Sequence, residues 1–141
     1  MRTVHVLRKL DPNEWGGTEM AIQRLFEGLR GQGVTPVVFC PRLDQQGLDD
    51  PFVRSGYEVQ RFKAFVPVLG ISSERRRQMV AVGGNLMSFD LVSSLWREKD
   101  VAVIHTHALG RIGGIARSIA KKRQIPFVIT IHGGVLDLPE N

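Results

Sequence analysis

Residues 101–134 read VAVIHTHALGRIGGIARSIAKKRQIPFVITIHGG. Val101 to Thr106 is a near-continuous apolar run, the pattern of a strand covered on both faces in a parallel sheet. Arg111 to Arg123 follows, with Ile112, Ile115, Ala116, Ile119 and Ala120 at spacings that put them on one helical face. Pro126 to Ile131 is a second buried-type run, closed by Gly133-Gly134. Strand, helix, strand in so short a span is a βαβ unit, which commits its sheet to parallel pairing with right-handed crossovers.

The pattern repeats upstream. Thr3 to Leu7 predicts a strand, and Leu10 to Gly17 a loop. Thr18 to Arg30 predicts a helix, with Ala21, Ile22, Leu25, Phe26 and Leu29 on one face, Thr18 as N-cap and Gly31 or Gly33 as stop. Val34 to Cys40 is a second strand, Leu43 to Pro51 a loop, and Tyr57 to Phe62 a short third strand by its alternation. After an apolar loop from Phe65 to Ile71, Ser72-Ser73-Glu74 opens a helix that runs to about Arg97, with Gly83-Gly84 as a bend or break. The expected fold class is therefore α/β, a doubly wound, mainly parallel sheet flanked by helices.

Composition narrows the field of functions. The 141 residues are 43% hydrophobic and 23% charged, which excludes a disordered chain, a collagen and a coiled coil. No apolar run approaches the roughly 18 residues of a membrane span. Met1 to His5 has no secretory hydrophobic region, and the lone Cys40 cannot form an internal disulfide, so a cytoplasmic protein is expected. The formal net charge is +5 and is unevenly placed: residues 52–77 carry a net +4 and residues 111–123 a net +5. Such clusters suit an anionic partner. The competing reading is a solvated helix face and a basic helix end that complements the dipole. No RNA- or DNA-binding signature is present, so nucleic acid is not an expected partner.

Ligands in open parallel sheets bind beyond the carboxyl ends of the strands, which directs attention to three junctions. At Gly16-Gly17-Thr18-Glu19, two glycines open a helix, so backbone N–H groups approach a ligand closely and the dipole favours an anion. Neither a dinucleotide fingerprint nor a P-loop is present, and a plain tight turn is the other reading. At Ile104-His105-Thr106-His107, the two histidines share one side of the strand. His105 reads either as a ligand contact or as a packed core histidine. At Thr130-Ile131-His132-Gly133-Gly134, a histidine closes a buried strand and glycines open space beside it, so His132 is suited to bond a phosphate, a hydroxyl or a carbonyl. His105, His107 and His132 as a metal set is the lesser reading, because no Asp, Glu or Cys adjoins them; no metal is expected. A Ser-His-Asp hydrolase is disfavoured by the absence of a nucleophile elbow.

Taken together and in order, Gly16-Gly17-Thr18-Glu19, Val103 to His107 and Ile125 to Gly133 resemble the amino-terminal domain of glycosyltransferase family 4, the group 1 retaining enzymes. The resemblance covers most of the chain and is weakest from Arg42 to Asp100. It implies a GT-B architecture, two Rossmann-like domains across a cleft, of which residues 1–141 are the acceptor side. It implies that Gly16 and Gly17 lie near the donor diphosphate and the reacting sugar; Thr18, Glu19, which matches a frequent acidic residue of that loop, and Gly133 are the further candidate substrate- or phosphate-binding residues. It implies that His132 is the catalytic contact to the transferred sugar and that His107 sits at the cleft edge. The expected substrates are a nucleotide-sugar donor and a sugar or lipid-linked acceptor, with no further cofactor.

The residues for a donor-binding domain, with its paired glutamates, do not occur in these 141. The expectation is thus a truncated acceptor domain of a hexosyl or other glycosyl transferase, inactive alone. Arg75, Arg76 and Arg77, with Phe62, Phe65 and Val66 nearby, suit seating on the anionic inner face of a membrane. An incomplete sheet edge would favour a homodimer. The alternative function is a non-catalytic Rossmann-like module that binds a phosphorylated ligand or a partner protein.

Overall fold

Alternating apolar residues build the centre of the molecule. In the computed structural model, which describes residues 1–44 and 49–132, strand β1 (Arg2–Val6) sends Val4 and Val6 to one side and His5 to the other. Helix α1 (Gly17–Leu29) crosses to β2 (Thr35–Pro41), and a single-turn helix α2 (Pro51–Arg54) leads into β3 (Glu58–Phe62). Helices α3 (Ser73–Ala81) and α4 (Phe89–Arg97) precede β4 (Val101–Thr106), and α5 (Gly110–Lys122) precedes β5 (Phe127–Ile129).

The sheet runs β3-β2-β1-β4-β5 and every pairing is parallel. This is a Rossmann-like doubly wound sheet. The chain winds outward from β1 in one direction and returns to its other side at β4, which makes the β1–β4 boundary the topological switch point. In that pairing His5 stands opposite His105, and Val6 opposite Thr106.

Two apolar clusters hold the layers. On one face Val4, Val6, Val37, Phe39 and Ile104 meet Leu91 and Leu95 of α4 and Ile112, Ala116 and Ala120 of α5. On the other, Ile22 and Phe26 of α1 and Phe52 of α2 cover Leu7, Val38 and Cys40. Each fully buried Phe or Leu contributes roughly 1.5–3 kcal/mol of transfer free energy. Asp50 is buried, caps α2 through Phe52 N, and takes an ion pair from Arg61, whose guanidinium also donates to the Leu10 and Pro41 carbonyls. Among the described residues, no buried side-chain N or O lacks a hydrogen-bond partner.

The differences from the sequence expectation have local causes. Helix α1 starts at Gly17 with Gly16 as its N-cap, because the Glu19 carboxylate reaches back to accept from Gly16 N at 3.0 Å. Thr18 therefore lies inside the helix. Of the two readings of Gly83-Gly84, bend or break, the structure shows the break, with two helices after Ser72. Gly83 takes φ +71°, and the Gly83 and Gly84 N–H groups donate back to the Val80 and Met79 carbonyls, closing α3 in a Schellman turn. Ser88 then caps α4, accepting from Leu91 N at 2.9 Å. Helix α2 falls where no element was expected, although Asp50-Pro51 is a cap followed by a first-turn proline. Strand β5 is three residues long rather than six; beyond it Thr130 N still donates to Thr106 O at 3.0 Å.

Candidate functional site

The strand ends at the switch point open into a cleft of about 630 Å³. Gly16, Gly17, Thr18 and Glu19 line it together with His107, Thr130, Ile131 and His132. The three junctions singled out in the sequence thus converge on one space. Gly133 lies outside the described residues.

The histidines are joined rather than scattered. His5 Nε2 lies 3.2 Å from Thr3 Oγ1, and His5 Nδ1 lies 3.2 Å from His107 Nε2. His107 Nδ1 in turn lies 2.8 Å from His132 Nε2. A chain of three imidazoles therefore leads from the sheet interior to the exposed His132. His105 stands beside it, its ring 4.1 Å from that of His107, and its Nε2 is 2.7 Å from Thr130 Oγ1. His105 is half-buried and bonded to a side chain, so it is not the backbone-satisfied core histidine of one sequence reading.

Burial controls the charge of this group. His5 is 2% exposed and lies edge-on to Phe26, and desolvation, reinforced by His105, pushes its imidazole down to about 3. His107 is driven down to about 2 by desolvation and then by the neighbouring rings of His105, His5 and His132. His105 is lowered by desolvation and by His132. His5 and His107 are therefore neutral near pH 7, and the bond between them joins neutral tautomers.

The amino end of α1 also lies in this lining. The first-turn N–H groups of α1 have no acceptors within the helix, and the dipole adds positive potential there. Gly17 has open space where a Cβ would stand, whereas a Cβ on Gly16 would meet Glu19 Oε2 at 3.1 Å. Glu19, 3% exposed, already occupies the Gly16 N–H. Helix α5 also begins at this cleft, at Gly110.

Some lining residues were not singled out in the sequence. Arg8 and Lys9 add positive charge to the rim, and Lys9 Nζ lies 3.4 Å from Glu14. The Gly83-Gly84-Asn85 turn forms a further wall. Its close approach to the chain at Arg8 requires glycine, since a Cβ on Gly83 would lie 2.6 Å from the Arg8 carbonyl oxygen. Asn85 accepts from Arg111. His5 had one visible signal, a histidine in the middle of an otherwise apolar strand, but nothing local says that it meets His107.

The basic clusters divide. Arg123 donates to the Leu95 and Glu98 carbonyls at 2.6 and 2.7 Å, tying the end of α5 to the end of α4. That is a structural role. Arg76 donates to Val68 O at 2.9 Å, Arg77 pairs with Asp44 at 3.4 Å, and Arg75 is exposed. Phe62 and Val66 are buried in the core, which removes them from any membrane contact expected of that region. Phe65, Phe89 and Leu69 are exposed instead, Leu69 at 95%. Among the described residues, no helix is long and apolar enough to cross a membrane.

The family described as "Glycosyl transferase 4-like domain" matches residues 16–140 of this chain. No curated protein matches it.

Proposed function

The chain belongs to the glycosyl transferase 4-like domain family, and from that premise we propose that it is the acceptor side of a nucleotide-sugar-dependent retaining glycosyltransferase of GT-B architecture. The observation that carries the proposal is the convergence of the Gly16-Gly17 turn with His107 and His132 on one cleft at the switch point. In this reading a second, donor-binding unit closes the cleft from the other side, and the chain alone does not transfer sugar. Proximity and transition-state contacts supplied from two sides are lost when either is missing.

The chemistry follows from charge. As the glycosidic bond to the nucleoside diphosphate breaks, negative charge grows on the leaving phosphate. The Gly17 and Thr18 N–H groups, the α1 dipole and the rim cations Arg8 and Lys9 face that charge across the cleft. His132, held through Nε2 by His107, turns its remaining ring nitrogen to a sugar hydroxyl.

The test is a titration of the isotope-labelled chain with nucleoside diphosphates and nucleotide-sugars, read by NMR. Shifts at Gly17, Thr18 and His132 are expected. Shifts confined to other surfaces, or none at millimolar ligand, overturn the reading.

A seat on anionic lipid is a second element of the proposal. It is supported by the exposed Phe65 and Phe89, whose rings lie 5.7 Å apart, by the exposed Leu69, and by the exposed Arg75 at the start of α3. Exposed apolar side chains next to cations suit the interface of an anionic leaflet.

A further inference from the structure

We propose that His5, His105 and His107 form a binding site for a divalent transition metal of the zinc class, beside the cleft that His107 lines. One ring nitrogen from each lies within 4.8 Å of the other two. The closest pair, His5 Nδ1 and His107 Nε2, is 3.2 Å apart, near the roughly 3.3 Å edge of a tetrahedron with zinc–nitrogen bonds of about 2.0–2.1 Å. Drawing all three nitrogens to that spacing from within 4.8 Å asks for small shifts of the rings, of which His105 is half-buried.

The outer nitrogens make the case stronger. A metal-bound imidazole normally donates its other N–H to a fixed partner, which sets its tautomer and aim. Each of the three has such a partner here: His5 Nε2 has Thr3 Oγ1, His105 Nε2 has Thr130 Oγ1, and His107 Nδ1 has His132 Nε2. The inner nitrogens are thus left for the metal. The proton shared between His5 and His107 moves to an outer nitrogen on binding, and each ring stays neutral. Burial keeps the rings unprotonated, the form a metal requires.

The donor set selects the ion. Three imidazoles without a carboxylate suit Zn²⁺, Co²⁺, Ni²⁺ or Cu²⁺ and not Mg²⁺ or Ca²⁺, which take oxygen ligands. Three protein ligands leave a fourth position, and His107 lines the cleft from which water reaches it. With the metal in place, His107 Nδ1–H donates to His132 Nε2. His132 then carries its proton on Nδ1, as a donor toward the cleft. Metal would bridge β1 and β4, so it would also hold the two halves of the doubly wound sheet at their switch point.

The experiment is a Co²⁺ titration of the untagged, chelator-treated chain, followed by visible absorption and then by competition with Zn²⁺, Mg²⁺ and Ca²⁺. The expected result is one Co²⁺ per chain with the intense band of a tetrahedral site, displaced by Zn²⁺ and not by Mg²⁺ or Ca²⁺. His105→Gln and His107→Gln should each weaken binding more than about a hundredfold with an unchanged circular dichroism spectrum, and Thr130→Val by about tenfold. No uptake by the folded chain overturns the proposal, as does uptake unaltered in His105→Gln. His105 is the deciding variant because His5 is buried and its replacement risks the fold.

Discussion

His5 Nδ1 and His107 Nε2 lie 3.2 Å apart although 102 residues separate them in the chain. The parallel β1–β4 pairing places His5 opposite His105, and the two-residue period of a strand then brings His107 past the end of β1 on the same face. The backbone locks this arrangement, since His107 N donates to Val6 O at 2.8 Å. The contact is a product of sheet register, and its consequences can be measured.

The first consequence is acid lability of the metal-free chain. His5 and His107 are pushed down to about 3 and about 2, against an ordinary value of 6.5. The unfolded chain therefore takes up these protons first as pH falls. Stability is complete above about pH 6.5 and declines as pH drops toward the folded values. Thr3, Phe26, His105 and His132 surround the two rings, and the described neighbours include no carboxylate to offset their charging. Urea denaturation at pH 7.5, 6.0 and 5.0 should show a falling midpoint. A flat profile would show that these rings charge without strain.

Two adjacent glycines of α5 should behave in opposite ways. A Cβ on Gly113 would lie 2.2 Å from the Ala108 carbonyl oxygen, backbone that cannot yield cheaply. Gly113→Ala should cost about 1–3 kcal/mol. Gly114 has nothing within 4 Å, so Gly114→Ala should stabilise the helix by about 0.5–1 kcal/mol. Thermal melts of the two variants decide this.

Gly17→Ala separates fold from ligand. Open space surrounds the added Cβ, so melting temperature should change little. The methyl group would stand where an anion approaches the first turn of α1, so affinity for a nucleoside diphosphate should fall about tenfold or more in the same NMR titration. Unchanged affinity would remove the turn from the site.

Cys40 should resist thiol reagents. Its thiol is fully buried and desolvation pushes it up to about 12, which suppresses the reactive thiolate. Labelling by a disulfide reagent at pH 8 should proceed at the rate of unfolding and accelerate in urea. Rapid labelling in buffer alone would contradict the packing of α1 and α2 over β2.

The lipid contact is tested by sedimentation with vesicles. The chain should bind vesicles containing phosphatidylserine, and both Leu69→Glu and Arg75→Glu should reduce the bound fraction several-fold. Equal binding to neutral vesicles would count against an electrostatic seat.

Much of the fold is legible in the amino-acid sequence, because it rests on local periodicity. The apolar runs at Val101 to Thr106 and Val34 to Cys40 correspond to β4 and β2 within a residue or two. The features that escape such a reading are also local but weakly signalled. The Asp50-Pro51 start of α2 supports only one turn, and the Gly83-Gly84 stop reads equally as a bend until the approach of the Arg8 carbonyl fixes it.

The sequence by itself determined most of the elements, their parallel crossovers and the glycine–histidine junctions at the strand ends, because side-chain periodicity and backbone freedom act over a few residues. Only the tertiary structure decided which junctions meet. Strand order placed β1 beside β4, and register set His5 opposite His105. The Glu19 carboxylate took the Gly16 N–H and so fixed where α1 begins. These outcomes depend on contacts between residues far apart in the chain, whose geometry exists only once the two faces of the sheet have packed.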